Sequence, residues 1–143
     1  MRILVTGASG YVGSGLIPLI QKDHNACDRD LRDGLDYRET ADSRLAQTDV
    51  IVHLAAVSND PASELNPALT QEINDYGLVD FCKRAVKLGV RKFIFASTAS
   101  VYGKTDGPAA VGSLCQPQSL YAETKLHAEE IIRGAGFQHH TIF

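Results

Sequence analysis

The chain has 143 residues, 44% of them hydrophobic and 22% charged, with a formal net charge of -3. That is one ordinary globular domain with a substantial core, and it leaves no room for a second substrate-binding unit. So nearly neutral a balance excludes electrostatic capture of nucleic acid or of an anionic membrane, and any phosphate must be held locally. Cys27, Cys82 and Cys115 lie far apart with no CxxC or Cys/His cluster, so reduced thiols are expected, with neither a disulfide framework nor a metal site. No apolar run is long enough for a signal peptide or a membrane span, and a cytoplasmic protein is the simplest expectation.

Arg2 to Thr6 is a short run of branched apolar residues that predicts a buried strand. It enters Gly7-Ala8-Ser9-Gly10-Tyr11-Val12-Gly13 and then a helical stretch from about Tyr11 to Lys22. Pro18 denies the Ser14 carbonyl its hydrogen bond, which predicts a bend or an early end. Val50 to Leu54 predicts another buried strand, followed by a polar, proline-marked loop from Val57 to Pro67 and a long helix to about Leu88, stopped by Gly89. Lys92 to Ala96 predicts a further strand ending in Ser97-Thr98, and Gly103 to Ser119 is loop. A last helix runs from Tyr121 to Arg133, and Thr141-Ile142-Phe143 opens one more strand. Strands that are apolar throughout and alternate with helices predict an α/β fold, a doubly wound parallel sheet covered on both faces, as one domain over 1–143.

The glycines at positions 7, 10 and 13 stand between strand and helix, the setting in which such a loop cradles a diphosphate. Gly7 is expected to make the tight turn, Gly10 to let a pyrophosphate reach bare backbone, and Gly13 to let helix and strand pack closely. The N–H groups of the first turn, those of Tyr11 and Val12 among them, face the anion. The bland alternative is a tight turn and nothing more.

Tyr121 and Lys125 are four residues apart on a helix and share a face. An ammonium beside a phenol lowers its pKa from about 10, which suits a tyrosine base. Alone, such a pair is equally a surface pair. Ser97-Thr98 stands at the carboxyl end of a strand, where parallel sheets bind ligands, and a hydroxyl there either bonds a substrate oxygen or only caps the strand.

Taken together, Thr6 to Gly13, the Asp30-Leu31-Arg32-Asp33 segment, His53-Leu54-Ala55-Ala56, Asn74, Phe95 to Gly103 and Tyr121-x-x-x-Lys125 resemble the extended short-chain dehydrogenase/reductases, in particular the NAD-dependent epimerase/dehydratase group that acts on nucleotide sugars. The resemblance implies a Rossmann-like fold, a nucleotide-sugar substrate and a homodimer through the helices carrying Asn74 and Tyr121. It implies NAD as cofactor, with NADP the alternative; Arg29 and Arg32 read as solvated charge. Tyr121 is implied as acid/base, Lys125 as the residue that binds the nicotinamide ribose and tunes the tyrosine, and Thr98 as the holder of the reacting oxygen. Asp30 and Leu31 are implied against the adenine, Leu54, Ala55 and Ala56 along the diphosphate and ribose, and Asn74 in support of the cofactor site. His53 reads as a strand-end residue held by hydrogen bonds. Ala99 and Ser100 stand where dehydratases of the group carry acids, which favours a 4-epimerase-like reaction; a simple reductase or a catalytically silent nucleotide-binding scaffold are the alternatives.

In this family a second strand ending in an acid, and a third strand, lie between the first helix and the Asp-Leu segment. Gln21 to Arg29 carries no β-branched strand pattern, so the Rossmann sheet is expected to be incomplete, lacking its second and third strands as well as a C-terminal substrate domain. A join between pieces of a longer chain is expected near His24 to Asp28.

Overall fold

Arg2–Thr6 (β1) is buried from Ile3 onward and forms the middle of a parallel ladder. The computed structural model describes residues 1–30 and 33–143, Arg29 by its backbone alone, so Leu31 and Arg32 of the expected adenine segment lie outside the described residues. After the glycine loop, Tyr11–Ile20 (α1) carries Pro18 inside it and stops two residues short of the expected Lys22. Asn25–Arg29 (β2) follows, then a 3₁₀ turn at Tyr37–Glu39 and the short helix Asp42–Leu45 (α2). Val50–His53 (β3) is buried throughout.

The loop expected from Val57 to Pro67 contains a helix, Asp60–Leu65 (α3), capped by the Asn59 side chain. Pro67–Gln71 (α4) then runs through a π-helical stretch, Glu72–Tyr76, into Gly77–Lys87 (α5). Lys92–Phe95 (β4), a 3₁₀ turn at Ala99–Tyr102, Leu120–Gly134 (α6) and His139–Ile142 (β5) complete the order.

All neighbouring strands are parallel, in the order β2-β1-β3-β4-β5. The expectation of an incomplete sheet is overturned: a five-stranded Rossmann-like sheet runs from Arg2 to Ile142. β2 pairs with β1 over its whole length, from Arg2 against Asn25 to Thr6 against Arg29. Its residues escape the β-branched pattern because it is an edge strand with Asn25 and Asp28 exposed. The ladder uses backbone groups that every residue but proline supplies, so strand propensity gives way to context.

Alternation along the strands divides the interior in two. Leu4, Ile51, Phe93 and Phe95 face α5 and α6, packing with Leu78, Phe81, Ala128 and Ile132. Ile3, Val5, Val50 and Val52 face α1, against Leu16, Ile17 and Ile20. Each fully buried Leu, Ile or Phe contributes roughly 1.5–3 kcal/mol, enough to fix which face each strand turns to which helix. Among the described residues no helix is long and apolar enough to cross a membrane.

Candidate active site

The strand order reverses direction between β1 and β3, so the loops leaving their carboxyl ends diverge and open a crevice. A cleft of about 620 Å³ lies there. It is lined by Gly7, Gly10, Tyr11, Val12, Gly13 and Asp30, by Leu54, Ala55 and Ala56 after β3, and by Tyr121 and Lys125 of α6. All of these were singled out in the sequence; Tyr37, Val57, Ser58 and Ile73, which also line it, were not. Tyr37 sits in an irregular segment where no period points to it, and its hydroxyl donates to the Ile73 carbonyl.

Each glycine has its own physical requirement. Gly7 has φ +72° and a Cβ there would come 2.7 Å from the Ala55 nitrogen. A Cβ at Gly13 would lie 2.4 Å from the Gly7 carbonyl oxygen and 2.6 Å from that of Ala8. The close packing therefore joins α1 to the loop itself and not to the strand. At Gly10 the nearest atom would be the Gly7 oxygen at 3.1 Å, and the N-terminus of α1 has no side-chain cap. Bare backbone and a helix N-terminus facing a cleft fit the diphosphate of a dinucleotide.

Asp30, directly after β2, accepts a hydrogen bond from the Ser9 backbone N–H on Oδ2 at 2.8 Å, and the Ser9 hydroxyl donates to Asp33 at 2.7 Å. An acid following the second strand is thus pinned to the glycine loop.

Tyr121 stands in the first turn of α6, whose cap is Ser119. The Ser119 hydroxyl also donates to Asp60 of α3 at 2.5 Å. Partial burial raises the Tyr121 pKa; the Thr98 hydroxyl works the other way by hydrogen bonding and the Asp60 charge adds to the rise. The lowering expected from Lys125 does not appear: the phenol is raised, and what opposes the rise comes from Thr98. Lys125 is buried, donates from Nζ to the Ala96 carbonyl at 2.6 Å and lies 4.4 Å from the centroid of the Phe95 ring. Burial brings its pKa down to about 8, against the pull of Glu129. Thr98 is placed beside this pair but outside the cleft lining, and its Oγ1 accepts from the Ser100 N–H, capping the 3₁₀ turn.

Asn74 does not line the cleft. It is buried in the π-helical stretch, where Oδ1 accepts from the Val57 N–H at 2.8 Å and Nδ2 donates to the Val57 carbonyl and to Thr124. The wider π turn carries this clamp, which ties the loop after β3 to two helices. His53 is held by Thr6 at 2.7 Å, and burial with the Lys125 charge lowers its pKa to about 3, so it is neutral at any ordinary pH. Among the described residues no group of His, Cys, Asp and Glu is placed to hold a metal ion.

Residues 3–143 match the NAD dependent epimerase/dehydratase family. The chain is 32% identical to an uncharacterized UDP-glucose epimerase, YtcB, of Bacillus subtilis, over 92% of its own length and 50% of the relative's. It superposes on MoeE5, solved with UDP-glucose and NAD, with a TM-score of 0.87 at 27% identity, covering 99% of this chain and 52% of that one. The UDP-glucuronic acid 4-epimerase of Bacillus cereus, solved with UDP-glucuronic acid and NAD, gives a TM-score of 0.86 at 28% identity, covering 99% and 55%. The chain thus spans about half the length of the relatives it matches. With the sheet, the glycine cradle and the helix-borne tyrosine and lysine all in one cleft, this chain belongs to the NAD dependent epimerase/dehydratase family.

Proposed function

We propose that the chain binds NAD in this cleft and carries the acid/base machinery of an epimerase acting on a nucleotide sugar. The observation that carries the reading is that one cleft joins the glycine cradle to Tyr121 and Lys125, with Thr98 beside them. MoeE5 and the Bacillus cereus 4-epimerase, similar over almost the whole of this chain, were solved with NAD and a UDP-sugar.

Gly7, Gly10, Tyr11, Val12 and Gly13 would hold the diphosphate, Asp30 the adenosine side, and Leu54 to Ala56 the wall along it. NAD supplies the hydride acceptor and donor at the sugar carbon. The chain's own residues move the proton. As phenolate, Tyr121 would take the proton of the sugar hydroxyl when the carbon is oxidised and, as phenol, return it to the keto oxygen when the carbon is reduced; its raised pKa favours the protonated form that the second half needs. Thr98, beside the phenol, would hold the same oxygen, and the Lys125 ammonium would steady the phenolate. A dehydratase needs an acid beside Thr98 to protonate its leaving hydroxyl. Ala99 and Ser100 carry none, which supports epimerisation.

Calorimetric titration with NAD, followed by incubation with NAD and UDP-glucose or UDP-glucuronic acid, tests the reading. Binding of NAD with epimer formation or reduced-cofactor absorbance is expected, and Tyr121→Phe should lower turnover by about 10²–10⁴ without weakening NAD. Binding without any turnover would instead establish the silent scaffold, and no binding at all would overturn both. The homodimer belongs to the same reading, and a monomer by light scattering would remove it.

A further inference from the structure

Tyr121, Lys125, Glu129 and Arg133 follow one another at spacings of four along α6 and so form one stripe. The stripe runs from the proton-transfer pair to a glutamate that the reaction described above does not use. Glu129 is only 7% exposed. Both its oxygens are engaged: Oε1 accepts from the Ser97 hydroxyl at 2.5 Å, and Oε2 from Arg133 at 2.7 Å. Ser97 is the residue after Ala96, whose carbonyl receives Lys125 Nζ, and before Thr98. A carboxylate is expensive to bury, and this one sits where it can act on all three neighbours.

We infer that Glu129 is a positioning residue of this site: it ties the carboxyl end of β4 to α6 and, one turn from Lys125, keeps that lysine an ammonium seated on the Ala96 carbonyl. The clamp through Ser97 fixes Ala96 and Thr98 relative to the helix that carries Tyr121. The charge offsets the burial of Lys125, which otherwise favours the neutral amine. Other charged or titratable groups facing the lysine do not replace it. His53 from β3 is neutral, and Tyr121 lies on the same helix as an uncharged phenol. Asp60 of α3 is turned to Ser119, and Asp75 of the π stretch to His127. Asp30 and Asp36 enter the cleft from its glycine-loop side, Asp36 paired with Arg38. Arg133 has its side chain half in solvent and shares the carboxylate, so it moderates the field that Lys125 feels.

This role rests on the proton-transfer reading of the cleft, but its test does not need turnover. The chain is labelled with ¹³C at lysine, the Lys125 ε-carbon is assigned with Lys125→Met, and its titration is followed by NMR in the wild-type chain, Glu129→Gln and Arg133→Met. In Glu129→Gln the Lys125 midpoint is expected to fall by about one unit. In Arg133→Met, which frees the carboxylate from its second partner, it should rise by a smaller amount. A purely structural glutamate would not move the midpoint in opposite directions in the two variants. An unchanged midpoint in folded Glu129→Gln overturns the inference; if that variant does not fold, an unchanged or lowered midpoint in Arg133→Met does so. Failure of the chain to bind NAD would remove the catalytic reading and leave these titrations as they stand.

Discussion

Replacing Gly13 by alanine adds one methyl group where the backbone leaves no space. Its nearest neighbours would be the Gly7 oxygen at 2.4 Å, the Ala8 oxygen at 2.6 Å and the Ala8 Cα at 2.7 Å. All three are main-chain atoms, so no side chain can swing aside and α1 must lift from the loop. Overpacking of this kind costs ~1–3 kcal/mol, and the upper end is expected here. The same helix supplies the control. Gly15, two residues on, is exposed, and a Cβ there meets nothing within 4 Å, so Gly15→Ala should gain ~0.8–1 kcal/mol of helix propensity. Both variants add the same methyl group and the same propensity, so their difference isolates the contact at about 3 kcal/mol. In urea, with a slope of about 2 kcal/mol per molar, the midpoints should lie about 1.5 M apart. Coincident midpoints would falsify the argument that Gly13 is required by packing against the loop.

Asn74→Ala should cost ~2–3 kcal/mol by leaving the Val57 amide and carbonyl without their clamp, with faster proteolysis near residue 57 as the accompanying sign. Lys125, with its folded pKa depressed to about 8, binds its proton less tightly folded than unfolded. Stability contributed by this residue should therefore rise with pH between about 8 and the unfolded value near 10.5, by up to ~3 kcal/mol. Because Cys82, pushed up to about 12 by burial, acts in the opposite sense over the same range, the measurement is the difference between wild type and Lys125→Met in urea at each pH; a difference independent of pH would refute it. Ser119→Ala removes both the cap of α6 and the hydrogen bond to Asp60, and should cost about 1 kcal/mol while loosening Tyr121, seen as lower turnover at unchanged NAD affinity.

The apolar strands β1 and β3 were legible because each buries nearly every residue, and β4 because Phe93 to Phe95 is an unbroken apolar run although only its two phenylalanines are buried. β2 was not: Asn-Ala-Cys-Asp-Arg carries nothing that distinguishes it from coil, and only the docking of its backbone against β1 makes it a strand. The short helix α3 was hidden by Pro61 and its polar neighbours, though the Asn59 cap is a signal that residues alone display. In the cleft, fixed spacing made the glycines, Tyr121 and Lys125 readable. What Lys125 touches was not readable, because the Ala96 carbonyl reaches it only through the packing of β4 on α6. Glu129 lay within reach of the same reasoning, one further step of four along the helix. Tyr37 did not, since its place depends on a contact with the distant Ile73 carbonyl.

The polar composition of β2 also bears on how the molecule breathes. A strand held at one edge, with little side-chain burial, opens at low free energy, and its amides should exchange with solvent well before those of β1 and β3. Asp30 hangs from its end, so the acid beside the glycine loop is tethered to an edge strand of the sheet. A dinucleotide gripping both would slow exchange along β2, turning an easily opened edge of the fold into a reporter of occupancy.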